Sequence, residues 1–295
     1  MIINLGAQVA STQHMRRYDF SISSDSLSKT RSRRHSKKFG LIFLSLVMVS
    51  TLFFLGPIDA HAADFTVAQI KHQLALGQGN LKGKDLSGLD LSGIDFRGAD
   101  LSGANLFASK LVSANFSGAN LSRATLNGAW LMGTNFTSAN LVGASLLSVV
   151  ILGGEVKEMP NFAGANLSEV RMIADLPRAN LAGANLSRAR IGVNIKNQGM
   201  GQMRTDLTGA NLYTANLSGA DLNRSLLEFA DLRGAHLENA NLYAVKLGGA
   251  DLTGADISGA DFTEADLRAT ILKNVQGKDT AKGLNKAINR DKIIF

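Results

Sequence analysis

The sequence has no cysteine, and beyond residue 62 it has only two histidines, His72 and His236. Neither a disulfide framework nor a thiolate metal centre is therefore available. Two isolated histidines with no nucleophile implied beside them make no catalytic constellation. His236 lies twenty residues before Asp256 in a repeating pattern and reads as half of a surface ion pair. An excess of acid is also missing. Of 31 basic and 24 acidic residues the first 62 positions hold eight and three, so the full-chain net charge of +7 falls to +2 in the remainder. The basic character belongs to the N-terminal segment and is no sign of nucleic-acid binding. The glycines open no helix and form no P-loop.

What the sequence has in abundance is a five-residue cadence. From about residue 81 to residue 272 the pattern Ala-(Asp/Asn)-Leu-Ser-Gly recurs, as in Ala99-Asp100-Leu101-Ser102-Gly103 and Ala250-Asp251-Leu252-Thr253-Gly254. A step of five fits neither a 3.6-residue turn nor a heptad, so the segment is not helical. In extended backbone, residues two apart share a face. With Leu or Phe as the centre, the preceding Ala points inward with it, the intervening Asp or Asn points outward, and Ser-Gly turns a corner. Phe96, Phe116 and Phe136 are centres spaced by twenty, as are Leu91, Leu111, Leu131 and Ile151. Four pentapeptides per coil stack these sets in single internal columns. Leu101, Leu121, Leu222, Leu242 and Phe262 are further core centres on this reading.

These motifs resemble those of the pentapeptide repeat proteins, with centres at Leu81–Ile151, Phe162–Ile191 and Leu207–Leu272. The resemblance implies an all-β solenoid, a right-handed quadrilateral β-helix, and it implies fold more than function. In a four-sided coil Asp251, Asp256, Asp261 and Asp266 point out of four successive sides and cannot converge on calcium; no metal, cofactor or catalytic residue is expected. Family members that mimic duplex DNA and protect gyrase need a strongly acidic surface and a cytoplasmic location, and neither is expected here, where the chain beyond residue 62 is near neutral and the N-terminal segment reads as an export signal. C-terminal elements mediate dimers in the family, which allows a homodimer here.

Residues 1–38 are polar and basic, ending Arg31-Ser32-Arg33-Arg34-His35-Ser36-Lys37-Lys38; an apolar run follows from Phe39 to Leu55, then Gly56-Pro57 and Ala60-His61-Ala62. This is a secretory signal with cleavage expected after Ala62, and its long basic region permits a start at Met15. The alternative is an uncleaved membrane anchor, since the run is close to spanning length. Both put the repeats outside the cytoplasm, in the periplasm or envelope. Domains are expected at 1–62 (signal), 63–80 (N-terminal cap helix), 81–272 (β-helix) and 273–295 (C-terminal helical cap or tail).

Thr66 with Gln69 fits a capping box and Phe65 with Ile70 a hydrophobic staple, while Val67, Ile70 and Leu74 form a stripe to cover the first coil. Asp279–Arg290 reads as a helix with Leu284, Ala287 and Ile288 on one side. The repeat gains one residue near Val156–Asn161, loses one at Met172–Leu176, and departs at 192–206 in a segment that suggests a loop. Loops from solenoids are frequent partner sites. Six basic residues from Arg171 to Arg204 face only Asp175, and Arg171 and Arg190 fall on one side in adjacent coils. Arg171, Arg190, Lys196 and Arg204 are candidates for an anionic partner, either an acidic protein surface or envelope phosphate or carboxylate. Asp90, Lys110 and Trp130 share another outward column, where Lys110 can bridge Asp90 and the Trp130 ring by a cation–π contact. The expected role is a non-catalytic exported scaffold that binds a macromolecule, with no nucleic acid and with membrane contact only through an uncleaved N-terminus.

Overall fold

A computed structural model describes residues 64–151, 159–193 and 204–295. The expected export segment lies outside them. Among the described residues no helix is long and apolar enough to cross a membrane.

The five-residue cadence becomes ten stacked coils of four sides. Each side is one extended residue flanked by corners, and each pairs in parallel with the same side one coil on. Side 1 begins Asn80↔Asp100, side 2 Asp85↔Asn105, side 3 Asp90↔Lys110 and side 4 Asp95↔Asn115. Parallel connections of this kind wind right-handed, giving the right-handed quadrilateral β-helix. At about 4.8 Å per coil the stack is about 45 Å long. Leu101, Leu121, Leu222, Leu242 and Phe262 are fully buried, with the alanines two positions before the centres packed beside them. Corners need a left-handed residue two past the centre. Glycine fills it at Gly103 (φ 67°), and Arg123 adopts the same conformation at φ 58°, which costs a residue with a Cβ about 1–2 kcal/mol.

The Phe ladder is longer than three rings. Phe96, Phe116, Phe136 and Phe162 stack with centroids 4.7, 5.3 and 4.9 Å apart. Phe162 joins because Val150 pairs with Trp130 on side 3 and Asn161 with Asn135 on side 4. Eleven residues therefore make a single step, and the interruption holds six additional residues rather than the one expected. Counting by fives cannot separate a one-residue bulge from a six-residue insertion, because both shift the frame equally.

The short rung at 171–175 still makes one side. Arg171–Ile173 (β2) pairs in parallel with Ser145–Leu147 (β1), Arg171 opposite Ser145. No residue there takes a left-handed φ. β-Branched Ile173 resists that conformation, and its corner is replaced by extended backbone one residue shorter.

The N-terminal cap is as expected. Helix α1 (Val67–Ala75) carries the Thr66–Gln69 capping box. Ile70 is fully buried, and Phe65, Val67 and Leu74 pack partly buried against the core. The C-terminus corrects the expected helix over 279–290. Only single 3-10 turns form, at Leu284–Lys286 and Arg290–Lys292. Gln276, Lys282, Ile288 and Ile294 instead pair with the ninth coil at six-residue steps and make a tenth. Ala287 is buried while adjacent Ile288 is 48% exposed, an alternation that belongs to a strand and not to a helix face. Left-handed Gly283 and Asn289 turn its corners, and a Cβ at Gly283 would run into Thr263.

Candidate interaction surface

The outward Asp or Asn of each repeat has a structural task that its outward direction alone does not reveal. Its side-chain oxygen accepts the backbone N–H two residues on, closing the corner, as Asp100 does from Ser102 (3.0 Å) and Asn115 from Ser117 (3.1 Å). Asn side chains also donate along the column, from Asn120 to Asp100 (3.0 Å) and from Asn140 to Asn120 (3.1 Å). Sequence reasoning missed this role, although the preference for Asp and Asn over other polar residues was its signal.

Side 1 keeps Asp or Asn until His236 and Gln276, and side 4 until Ile271 and Ile294. Sides 2 and 3 abandon the rule in mid-stack. Side 2 carries Thr125, Ser145, Arg171 and Arg190 in successive coils; side 3 carries Lys110, Trp130 and Val150, and later Leu226 and Lys246. None of these replacements can accept the corner N–H with a carboxylate or amide oxygen. The corner between the two sides is apolar as well. Phe107 is 54% exposed there, and Leu147, Ile173 and Tyr243 are half-buried along the same edge. The register puts both interruptions at the borders of side 3: after Val150 toward side 4, and between Arg190 on side 2 and Asp206 on side 3.

Side 3 also holds a cleft of about 450 Å³, lined by Val149, Ile173, Asp175, Arg204, Asp206 and Leu226 among others. Asp175 and Asp206 are ladder partners. Asp206 accepts from Thr208 N (2.8 Å), but the residue two after Asp175 is Pro177, which has no N–H to give. Partial desolvation and the neighbouring Asp206 carboxylate push the Asp175 carboxyl above its ordinary range. One coil further, around Leu226, Arg224 Nε, Ser225 Oγ and Glu228 Oε2 are buried and make no hydrogen bond. Stability is therefore sacrificed locally on this side.

The sequence candidates divide over these two sides. Lys110, Trp130 and Arg204 belong to side 3, while Arg171 and Arg190 are exposed ladder partners on side 2. Lys196 lies outside the described residues. Lys110 pairs with Asp90 at 3.8 Å. The cations that lie over rings among the described residues are Lys84, Arg224, Arg233 and Lys278, so the expected Lys110–Trp130 contact does not form. His236 hydrogen-bonds Glu238 at 3.1 Å while remaining the ladder partner of Asp256, so its nearest carboxylate is two residues away and not twenty. Among the described residues no group of three or more His, Cys, Asp or Glu is arranged to hold a metal ion.

Residues 80–111, 99–137, 114–146, 161–191, 203–239 and 235–274 match the family model described as pentapeptide repeats (8 copies). No curated protein matches the chain. Among solved structures, HetL from the cyanobacterium Nostoc sp. strain PCC 7120, involved in heterocyst differentiation regulation, is 32% identical; the match covers 78% of this chain and 100% of HetL, with a TM-score of 0.41. QnrB1, a plasmid-mediated fluoroquinolone resistance protein, is 21% identical over 66% of this chain and 89% of its own, with a TM-score of 0.29. Rfr23 from the cyanobacterium Cyanothece 51142 is 30% identical over 37% of this chain and 90% of its own, with a TM-score of 0.19.

Proposed function

The chain belongs to the pentapeptide repeat family, and from that premise we propose that it is a non-catalytic scaffold, exported to the periplasm or cell envelope, whose sides 2 and 3 bind a partner protein. The observation that carries this reading is the selective loss of Asp and Asn on two adjacent sides out of four. Drift in a tolerant scaffold would strip the corner acceptor from every side. Here the mid-stack losses concentrate along one edge, and on side 3 they introduce a tryptophan, a valine and a leucine that point outward and are only half-buried by their neighbours. Local violations of a structural rule are where function is expected. Aromatic and apolar residues next to arginines are also the composition of protein-binding hot spots.

Restoring the rule tests the reading. Trp130→Asn with Leu226→Asn should keep or raise stability, by about 0.5–1.5 kcal/mol per recovered hydrogen bond, while a protein captured from the envelope by the wild-type chain is lost. Capture that survives both substitutions would remove sides 2 and 3 from consideration.

A DNA-mimicking, gyrase-directed role is the weaker alternative. It calls for a continuous acidic face, whereas Lys110, Lys246, Arg171 and Arg190 occupy the outward columns of sides 2 and 3. The homodimer reading attaches to the far end, where Ile288, Ile294 and Phe295 of the tenth coil are exposed; sedimentation of the full chain at increasing concentration tests it.

A further inference from the structure

We propose that Arg171 and Arg190 form a clasp for a phosphomonoester or inorganic phosphate group, separate from the apolar edge described above. The two residues are direct partners in a parallel bridge on side 2, so their backbones lie about 4.8 Å apart. They are the one pair of cations stacked directly on each other in the ladder of the described residues. Both are exposed, and among the described residues neither guanidinium makes a hydrogen bond or an ion pair. The cations of side 3 behave differently: Lys110 has Asp90 at 3.8 Å and Lys246 has Asp266 at 3.5 Å.

The acids nearest the pair are committed elsewhere. Glu169, at the preceding corner, pairs with Arg188 at 3.8 Å. Asp221, the next residue down the column, uses one oxygen to accept from Asn223 N, Asn223 Nδ2 and Asn241 Nδ2. On the other side of the pair stands Ser145, whose hydroxyl donates to Asn127 Oδ1 at 2.8 Å. Like charges directly opposed in a sheet destabilise it, and although Asp221 is the ladder partner of Arg190, its bonded oxygen faces Asn223 and Asn241 and it makes no ion pair with either arginine among the described residues. Arg171 also sits on β2, one of the two three-residue strands, so the clasp is held by extended pairing and not by a loop.

The chemistry of the ligand follows from the donors. One guanidinium saturates the two oxygens of a carboxylate in a bidentate pair. Two guanidiniums a coil apart present up to ten N–H donors and two positive charges, which match a compact dianion with three or four oxygens. A long polyanion lying along the axis would meet Asp221 and then Asp261 on the same side, so the column selects a single group and not a nucleic-acid strand.

The test uses the full chain and inorganic phosphate, with acetate and chloride at matched ionic strength. Phosphate should raise the melting temperature beyond both comparison salts. The double variant Arg171→Ala/Arg190→Ala should abolish that excess and weaken phosphate binding by about tenfold or more, while its own melting temperature without phosphate is unchanged or higher. Arg171→Lys/Arg190→Lys, which keeps the charge and loses the fork, should retain only a minor part of the effect. Vesicles of phosphatidic acid then identify the source. Co-sedimentation lost in the Ala double variant supports the clasp with a lipid phosphate as its ligand. A phosphate effect without vesicle binding supports it with a soluble or polymer-borne phosphomonoester. Equal stabilisation by acetate, or a phosphate excess that persists in the Ala double variant, overturns the proposal.

Discussion

Replacing Phe116 by alanine tests the four-sided register most directly. The ring is fully buried and lies between two others, 4.7 Å from Phe96 and 5.3 Å from Phe136, at interplanar angles of 1° and 10°. Loss of a buried phenyl ring costs about 3–5 kcal/mol through transfer and cavity terms. Each ring contact adds about 0.5–1.5 kcal/mol beyond area, and Phe116 has two, so its value belongs at the upper end. Phe262 supplies the control. It is equally buried but stands on side 2, outside the four-ring ladder, so Phe262→Ala should cost about 1–3 kcal/mol less than Phe116→Ala. Phe116→Leu should cost only about 1–2 kcal/mol, because Leu is already the centre of lower coils on side 4, at Leu181, Leu212 and Leu232.

Urea unfolding followed by far-UV circular dichroism gives the midpoints. A repeat array need not unfold in one step, so amide exchange is required as well. The bonds from Phe116 N to Asn135 O and from Asn115 N to Ile94 O should lose protection in Phe116→Ala while those of the eighth and ninth coils keep it. A cost for Phe116→Ala below that of Phe262→Ala, or protection lost evenly along the stack, would refute the stacked ladder and with it the count of four sides.

Two further expectations concern charge and processing. Asp175 has a folded-state pKa above its unfolded value, so its ionised form opposes folding at neutral pH and the penalty fades as pH falls toward the ordinary carboxylate range near 4; Asp175→Asn should therefore raise the melting temperature at pH 7, with a gain that closes on acidification, and a gain that grows in acid would reverse the argument. The natural protein should begin near Ala63 and fractionate outside the cytoplasm, which intact-mass spectrometry of the envelope and soluble fractions decides; a full-length chain in the cytosol would contradict export.

The fold was legible because one repeat exposes its own geometry. Phe and Leu at intervals of twenty identify the columns, and the capping box at Thr66 and Gln69 marks α1 without ambiguity. The insertion before Asn161 is longer than its frame shift suggests, for a definite reason. Frame shifts add modulo five, and only the pairing of Asn161 with Asn135 tells six residues from one, which is why the fourth ring of the ladder went unseen. The tail reads as a helix because helix-forming Leu284, Lys286, Ala287 and Arg290 outweigh two corner residues in propensity, whereas edge pairing to the ninth coil decides the outcome. Of the interaction candidates, the sequence found the columns of Trp130 and of Arg171 with Arg190. Leu226 is legible in principle, since the centres run by fives from Leu207 to Leu272 and leave it in the outward position before Leu227, but a leucine beside a leucine is easily taken for core.

Function is hard to read from such a chain, and it can still be read in one place. In a globular enzyme, functional residues stand out by type; in this solenoid almost every residue type has a structural reason, including the aspartates that resemble ligands and the serines that resemble nucleophiles. The informative quantity is the departure of an outward position from what its corner requires. Sides 1 and 4 meet that requirement nearly throughout and need no partner to account for them. Sides 2 and 3 fail it through the middle of the stack, where the usual Asp or Asn acceptor is lost and, at most of these positions, a cation or an apolar group stands in its place. One lost bond is worth about 0.5–1.5 kcal/mol, small beside a continuous core, so the solenoid can sustain several such losses on two faces without unfolding. A partner that buries Trp130 and Leu226 would return more than those bonds, and the rigid spacing of the coils would hold the contacts in register before it arrives.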